Sequence, residues 1–217
     1  ENNLIKLKML QTGNPSFFEP NLEKNLKKCM KLHNLKFSEN IKPIFNKIDI
    51  IYLCVPTPND KNVIDLKYIK KVITEISYFL KETKKKPMII IKSTIAPETT
   101  HLLLKILEKN SKKLLGVDYF LIVNPEFLKE GTALADQANP HLIVIGTGDK
   151  KSKNKIENFY KKIYSKKIPK FTTNFTTAEL IKYSNNAFLA TKISFINSIS
   201  NFSQKIPGAN IDDVAKA

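Results

Sequence analysis

The chain has 217 residues, 42% of them hydrophobic and 26% charged, which predicts one or two globular domains with a substantial core. It has no apolar run long enough to span a membrane, and its first residues, ENNLIKLKML, lack the apolar centre of a signal peptide. Two cysteines cannot build a disulfide framework. These features argue against a membrane protein and a disulfide-stabilised secreted domain, so we expect a cytoplasmic protein.

The formal net charge of +16 raises the hypothesis of a nucleic-acid-binding protein. All 36 basic residues are lysines, however, whereas base recognition relies mainly on arginine. The lysines are also scattered in pairs, mostly on the polar faces of predicted helices. We therefore predict a solvated, lysine-rich surface that does not bind nucleic acid, and we predict no metal site.

The first three quarters of the chain alternate between helical patterns and short apolar runs typical of buried parallel strands. In chain order the predicted elements are a helix at 20–33, a strand at 48–55, a helix at 66–81, a strand at 87–93, a helix at 97–108, and strands at 118–123 and 142–146. This alternation predicts a doubly wound α/β sheet, in which the ligand crevice lies beyond the carboxyl ends of the strands.

The pattern changes after about residue 175. Residues 176–206 contain no glycine or proline, begin with a Thr-x-Glu cap signal and are apolar nearly all round. A helix of this composition is expected to be buried between domains or subunits. The sequence PGAN then ends the helix, and IDDVAKA begins another one.

Two strand ends carry small polar residues that could line a ligand. In CVPTPND (54–60), Val55 and Thr57 could lie against a flat ligand, although an ordinary strand-exit turn is the better explanation of this segment taken alone. In KSTIAPETT (92–100), the hydroxyls of Ser93 and Thr94 could orient a water or touch a cofactor. The alternative for these two hydroxyls is capping of the following helix.

Two carboxylates follow the strand at 118–123, in the segment NPEFLKEG (124–131). Glu126 and Glu130 are four residues apart, so one helical turn would place them on the same face as an unfavourable like-charge pair unless something lies between them. A carboxylate at a strand end could act as a general base. The alternative is a surface turn with solvated acids, against which the apolar neighbours Phe127 and Leu128 argue.

The apolar helix carries Lys182 and Asn186, also four residues apart. An ammonium group on such a helix needs a carboxylate or a ligand, and the alternatives are a structural ion pair or a lysine that extends to water. We predict that folding brings the Glu126 carboxylate and the Lys182 ammonium together around a shared pocket.

A glycine pair in VIGTGDKKS (144–152) is similar to the start of a dinucleotide-binding fingerprint. It lacks the third glycine and an acidic strand end about 20 residues further on. We interpret it as an ordinary strand–turn–helix corner.

In order and spacing, these motifs resemble the UDP-glucose/GDP-mannose dehydrogenase family over the whole chain. The resemblance is carried by NPEFLKEGTALAD with NPHLIVIG, by AELIKYSNNAFLATKISFINSISNF and by GANIDDVAKA. It implies a partial NAD-binding Rossmann-like domain at 1–174 and the start of a central helical dimerisation domain at 175–217. It also implies a homodimer formed through the 176–206 helix.

Members of that family oxidise a sugar C6 alcohol to a carboxylate in two hydride transfers to NAD, with a cysteine carrying the intermediate. The resemblance implies that Glu126 is the general acid/base, that Thr94 positions the attacking water, and that Lys182 stabilises an oxyanion with Asn186 as its hydrogen-bond partner. NAD would contact Val55, Pro56, Thr57, Pro58, Ser93, Thr94 and Glu130. The sugar nucleotide would contact Glu126, Phe127, Leu128, Lys129, Lys182 and Asn186.

The chain also departs from the family pattern, because neither the G-x-G-x-x-G turn nor the GGSC segment with the nucleophilic cysteine is present. Cys29 and Cys54 do not inherit the nucleophile's role. We therefore expect an incomplete piece that does not turn over alone. Phe127 and the ATKISFIN segment favour UDP-glucose, oxidised to UDP-glucuronate, over UDP-N-acetylmannosamine, whereas GDP-mannose is harder to separate. A non-catalytic dimerisation module is the alternative from another class.

Overall fold

The computed structural model describes residue 1, residues 3–60 and residues 63–217. In these residues the helices are α1 (Leu4–Gln11), α2 (Leu22–Lys31), α3 (Lys67–Glu82), α4 (Thr99–Ser111), α5 (Ala133–Ala138), α6 (Lys150–Ile163), α7 (Phe175–Ser203) and α8 (Ile211–Lys216), with a 3-10 helix at Lys42–Lys47. The strands are β1 (Ile50–Leu53), β2 (Asn59–Asp60), β3 (Val63–Ile64), β4 (Met88–Ile91), β5 (Phe120–Val123), β6 (Ile143–Thr147) and β7 (Lys170–Thr173).

Five of these strands form one sheet in the order β1-β4-β5-β6-β7, and β2 pairs with β3 in a separate antiparallel hairpin. Strands β1, β4 and β5 are parallel neighbours. The predicted α/β class is confirmed, as are the four predicted strands and the helices between them. Strand β7 was missed because its sequence, KFTT, is short and only partly apolar, and the strand is only partly buried.

The strand predicted at 142–146 is present as β6, but its predicted parallel direction is wrong. It pairs antiparallel with only the last two residues of β5 and runs on past the carboxyl end of that strand. Pro125 has no N–H to continue the ladder. Instead, Nδ2 of Asn124 donates to the Val144 carbonyl oxygen at 2.7 Å. A parallel neighbour would need a crossover, whereas the connection at 124–142 carries only the six-residue helix α5.

The sheet buries both of its faces. On one face the core is formed with α3, α4 and the start of α7, and α3 buries Ile69, Ile73, Ile76 and Leu80 at the spacing of one helical stripe. On the other face, α6 buries Ile156 and Tyr160 against the strands. Each fully buried side chain of this size contributes about 1.5–3 kcal/mol to folding.

Helix α7 begins in close contact with β6 because two glycines make room for it. A Cβ atom at Gly146 would lie 2.6 Å from the Cβ of Ala178, and one at Gly148 would lie 2.7 Å from the ring of Phe175. The glycine pair therefore lets the start of α7 pack closely against the end of β6. Asp149 caps α6 by accepting from the N–H groups of Lys151 and Ser152, as expected for a strand–turn–helix connection.

The predicted helix at 176–206 is confirmed as α7, but its predicted cap is wrong. The side chain of Asn174 caps the helix by accepting from the Thr177 N–H. The Glu179 carboxylate turns instead to the start of α4. The first turns of α7 bury Phe175, Ala178, Glu179 and Lys182, whereas beyond Tyr183 most of its large apolar side chains are exposed. Among the described helices, none is both long and apolar enough to cross a membrane.

Candidate active site

The carboxyl ends of β1 and β4 bring the predicted cofactor residues of both segments together. The Thr57 hydroxyl donates to the Thr94 carbonyl oxygen at 2.7 Å, and the Ser93 hydroxyl donates to the Val55 carbonyl oxygen at 2.7 Å. These bonds join the two strand exits into one surface. Pro56 and Pro58 further restrict this backbone, because each fixes its own φ.

Ser93 and Thr94 do not cap the helix that follows them. Helix α4 starts only at Thr99, and its first N–H groups are satisfied by a carboxylate from α7. Glu179, 1% exposed, accepts from the N–H groups of Glu98 and Thr100 at 2.7 and 2.8 Å and from the Thr100 hydroxyl at 2.6 Å. The capping alternative for Ser93 and Thr94 is therefore wrong. Glu179 instead fixes α7 to the segment that carries them.

The structure brings Glu126 and Lys182 into direct contact, with 3.0 Å between the Lys182 Nζ and the Glu126 Oε2. The lysine side chain is only 8% exposed, whereas the carboxylate is 31% exposed. The ring of Phe127 lies 5.3 Å from the same ammonium, and the Leu128 N–H donates to the carboxylate at 3.3 Å. A held ammonium and a partly accessible carboxylate can stabilise negative charge and exchange a proton at one place.

Residues 124–131 form a loop and not a helical turn, so the same-face geometry considered for Glu126 and Glu130 is wrong. Other contacts shape this loop. Asp136 accepts from the Lys129 N–H at 3.0 Å, and the buried Glu19 accepts from the Gly131 N–H at 3.0 Å. The like-charge conflict disappears because Glu126 turns to Lys182 and Glu130 remains exposed.

The loop separates two cavities. Glu126 and Phe127 line a narrow space of about 30 Å³ together with Lys92 and Asn124. Lys129 and Glu130 line a more open cavity of about 380 Å³, whose opposite wall includes Phe17 and Phe18. The second volume lies within the range of small-molecule sites. Leu128 borders both spaces, so the predicted substrate and cofactor residues of this loop are divided between them.

Asn186 does not make its predicted hydrogen bond to Lys182. It is exposed on α7, one turn beyond Lys182, and the hydrogen-bond partner that the described residues give to the lysine is Glu126. The predicted bond between Asn186 and Lys182 is therefore absent from this structure. The reason is geometric, because the Lys182 side chain extends toward the β5 exit and away from the following helical turn.

A row of polar side chains was missed in the sequence. Leu53, Ile91 and Val123 are paired across β1, β4 and β5, so the next residues of the three strands, Cys54, Lys92 and Asn124, are neighbours on one face of the sheet. The signal was available, since each of these residues directly follows an apolar run.

Hydrogen bonds and charge define the chemistry of this row. The Lys92 ammonium donates to Oδ1 of Asn124 at 3.1 Å, and the Tyr160 hydroxyl donates to the same oxygen at 2.6 Å. Burial lowers the pKa of Lys92, against the opposing effects of Cys54 and Glu126. Burial also raises the pKa of the Cys54 thiol, while the Lys92 charge acts in the opposite direction.

The parallel β1, β4 and β5 strands, with polar groups at their carboxyl ends, place the chain in the class of Rossmann-like α/β proteins. Residues 1–164 match the model of the UDP-glucose/GDP-mannose dehydrogenase family, NAD binding domain, and residues 176–217 match that of the central domain of the same family. The chain belongs to the UDP-glucose/GDP-mannose dehydrogenase family, whose members are NAD-dependent sugar-nucleotide 6-dehydrogenases.

Relatives acting on two different substrates are similar to the chain. It is 34% identical to GDP-mannose 6-dehydrogenase of Pseudomonas syringae pv. tomato, over 96% of this chain and 48% of the relative. It is 33% identical to UDP-glucose 6-dehydrogenase of Rickettsia typhi, over 100% of this chain and 48% of the relative. The crystal structure of a ternary complex of GDP-mannose dehydrogenase from Pseudomonas aeruginosa superposes with a TM-score of 0.92 at 30% identity, covering 99% of this chain and 49% of that one. The chain thus spans about half the length of the curated relatives it matches.

Proposed function

We propose that this protein takes part in the NAD-dependent oxidation of a nucleotide sugar at C6, with UDP-glucose as the substrate and UDP-glucuronate as the product. The observation that carries the proposal is the Glu126–Lys182 pair at the carboxyl end of β5. Active sites of open α/β sheets lie at this edge. Family membership and the NAD-binding-domain match support the cofactor.

The pair suits the chemistry of alcohol oxidation. Removing the hydroxyl proton requires a base that the substrate can reach, and the Glu126 carboxylate is partly accessible. Negative charge then develops on the sugar oxygen, and a buried ammonium stabilises it more strongly than solvent does. We assign Lys182 to this task. We assign the positioning of the attacking water to Thr94, whose carbonyl oxygen accepts from the Thr57 hydroxyl, and we propose that Asn186 reaches the ligand from the following turn of α7.

The strand exits of β1 and β4 fit one end of a dinucleotide. Val55–Pro58 and Ser93–Thr94 form a surface tied together by two hydrogen bonds, and Glu130 stands on the loop that borders the larger cavity. We propose that these residues hold the nicotinamide end of NAD, which accepts the hydride when bound. Phe127, Leu128 and Lys129 would hold the sugar nucleotide beside them.

We also propose that the chain forms a homodimer through α7. Beyond Tyr183 this helix exposes large apolar side chains, among them Phe188, Ile193 and Phe195, to an extent unusual for a solvated surface. This observation supports the division into an α/β domain at 1–174 and the start of a helical dimerisation domain at 175–217. Cys29 and Cys54 are free thiols, which supports a reducing compartment, the cytoplasm.

GDP-mannose is the second candidate substrate. Similar relatives divide between the two substrates at nearly equal identity, 34% for a GDP-mannose enzyme and 33% for a UDP-glucose enzyme. The similar structure from Pseudomonas aeruginosa is also that of a GDP-mannose dehydrogenase. The nucleotide base and the sugar configuration must therefore be separated by assay.

The test is NADH formation by the product of the coding region that contains this sequence, with UDP-glucose, GDP-mannose and UDP-N-acetylmannosamine as substrates. We expect turnover with UDP-glucose, and a loss of about 100-fold or more in kcat for Lys182→Met and Glu126→Gln. Lys155→Met, at the opposite edge of the sheet, is the matched control and should retain activity. Absence of NAD reduction with every nucleotide sugar would refute the proposal, and preference for GDP-mannose would select the second candidate.

A further inference from the structure

The Glu126 carboxylate is shared by two lysines. Lys92 and Glu126 line the same narrow cavity, and the Glu126 carboxylate is already paired with Lys182 at 3.0 Å. Asp136 also lines the narrow cavity, but its carboxylate accepts from the Lys129 N–H and the Thr132 hydroxyl. Among the charged groups that act on the pKa of Lys92, Glu126 is the carboxylate, and Lys92 has to share it with Lys182.

Lys92 is held in a fixed position. Its hydrogen-bond partner is the neutral amide oxygen of Asn124, which also accepts from Tyr160, while the Asn124 amide nitrogen is bound to the Val144 carbonyl. An ammonium group has three donors, so this arrangement orients Lys92 without satisfying it. A lysine that serves only the fold is usually paired with a carboxylate when it leaves water. Burial also lowers the pKa of Lys92, so the charged form benefits from an anion nearby.

We propose that Lys92 is an anion-binding residue of this site and that it receives the carboxylate formed when the sugar C6 is oxidised. The proposal rests on the proposed function for the identity of the anion. It assigns different tasks to the two lysines: Lys182 is engaged by Glu126, and Lys92 supplies the charge that receives the anion. The two lysines belong to separate parts of the fold, since Lys92 directly follows β4 and Lys182 lies on α7.

Cys54 offers a direct reporter of this charge. The thiol is the neighbour of Lys92 in the strand-end row, and it is exposed enough for a reagent to reach it. Alkylation requires the thiolate, whose population depends on nearby charge. In a Cys29→Ser background, Cys54 is the one remaining thiol of the chain.

The experiment measures the rate at which iodoacetamide alkylates Cys54 at one fixed pH, with and without D-glucuronate, and with glucose as the neutral control. We expect glucuronate but not glucose to slow alkylation about threefold or more, because a bound carboxylate opposes thiolate formation and covers the thiol. Lys92→Met should alkylate more slowly without ligand and lose the protection. Lys92→Arg should restore both effects, and Lys155→Met should behave like the unsubstituted chain.

Equal protection in Lys92→Met and the unsubstituted chain would overturn the proposal, as would an equal effect of glucose. Circular dichroism identifies a variant that fails to fold, and Lys92→Arg then decides by whether protection persists when the charge is retained. A different result would refute the proposed function. Glucuronate protection that depends on Lys92, without oxidation of any nucleotide sugar, would uphold the anion site and refute the dehydrogenase. Oxidation of a nucleotide sugar, together with glucuronate protection that does not depend on Lys92, would uphold the dehydrogenase and refute the anion site.

Discussion

The two halves of α7 have similar compositions but opposite surroundings. In the first half, Phe175 is 1% exposed and the polar side chains of Glu179 and Lys182 are buried with specific partners. In the second half, Phe195 is 65% exposed and Lys192 lies on the surface, 5.8 Å from the ring of Phe188. The same helix thus buries its charges where it meets the sheet and exposes its apolar residues where it leaves the sheet.

The difference shows that composition alone does not determine where a helix is buried. Burial of the first half follows from Gly146 and Gly148, which let α7 approach β6 closely. Once the helix is that close, a carboxylate and an ammonium can be removed from water only because α4 and Glu126 supply partners. The second half is the part of α7 for which we propose a second copy of the chain as the covering surface, since its apolar side chains are exposed in the single chain.

The largest expected effect on stability is that of removing the Phe175 ring from the buried half, with removal of the Phe195 ring from the exposed half as the comparison. Phe175→Ala should lower the free energy of unfolding by about 3–5 kcal/mol, because the ring is buried against Gly148 and beside His101. Phe195→Ala should change the stability of the single chain by less than about 0.5 kcal/mol. Urea denaturation at low protein concentration measures both. Equal losses would mean that the second half is also packed within one chain.

A different substitution at Phe195 tests the proposed dimer. If a second copy covers the distal half of α7, Phe195→Glu should shift the protein to monomer in sedimentation experiments while its circular dichroism stays unchanged. A dimer that survives this substitution would place the interface elsewhere.

The next effect concerns the link between α7 and α4. Glu179→Ala removes the acceptor for two N–H groups and one hydroxyl at the start of α4, and should destabilise the chain by about 2–3 kcal/mol. Asn197→Ala is the control on the exposed half and should be nearly silent. Thermal unfolding distinguishes the two outcomes. If the Glu179 variant melted like the control, the carboxylate would not anchor the helix.

Strands and helices could be predicted from the sequence because their apolar periodicities are strong, as in the run MIII of β4 or the stripe of α3. The direction of β6 could not be predicted from the sequence of the strand, because it depends on how residues 124–142 return to the sheet. The proximity of Glu126 and Lys182 was predicted from two arguments together: an ammonium group on an apolar helix needs a partner, and the family resemblance places both residues in one site. The position of Asn186 and the row of Cys54, Lys92 and Asn124 depend on side-chain direction and strand register, which one sequence does not display.

A fourth test replaces one lysine in each half of α7 with methionine. Lys182→Met should cost about 1–2 kcal/mol of stability, because it leaves Glu126 without its buried partner, although the exposed part of the carboxylate remains solvated. Lys192→Met removes the same charge from the exposed half and should have little effect. Chemical denaturation near neutral pH measures the difference. A Lys182 variant as stable as the Lys192 variant would show that the ion pair contributes nothing to the fold.

The smallest expected effect is a change in pH dependence at Glu179. Burial raises the pKa of this carboxyl above its ordinary value of 4.5, although its hydrogen bonds to Thr100 and Glu98 oppose the shift. The folded chain therefore holds the proton more tightly than the unfolded chain. As the pH rises from below 4.5 through the folded-state pKa, this group makes the protein less stable. Glu179→Gln removes that titration, so the stability of the unsubstituted chain relative to the variant should decrease over this window in urea denaturation. If this relative stability instead increased with pH, the hydrogen bonds from the start of α4 would outweigh the effect of burial on Glu179. The first half of α7 would then be held by an ionised carboxylate that its partners stabilise more than water does.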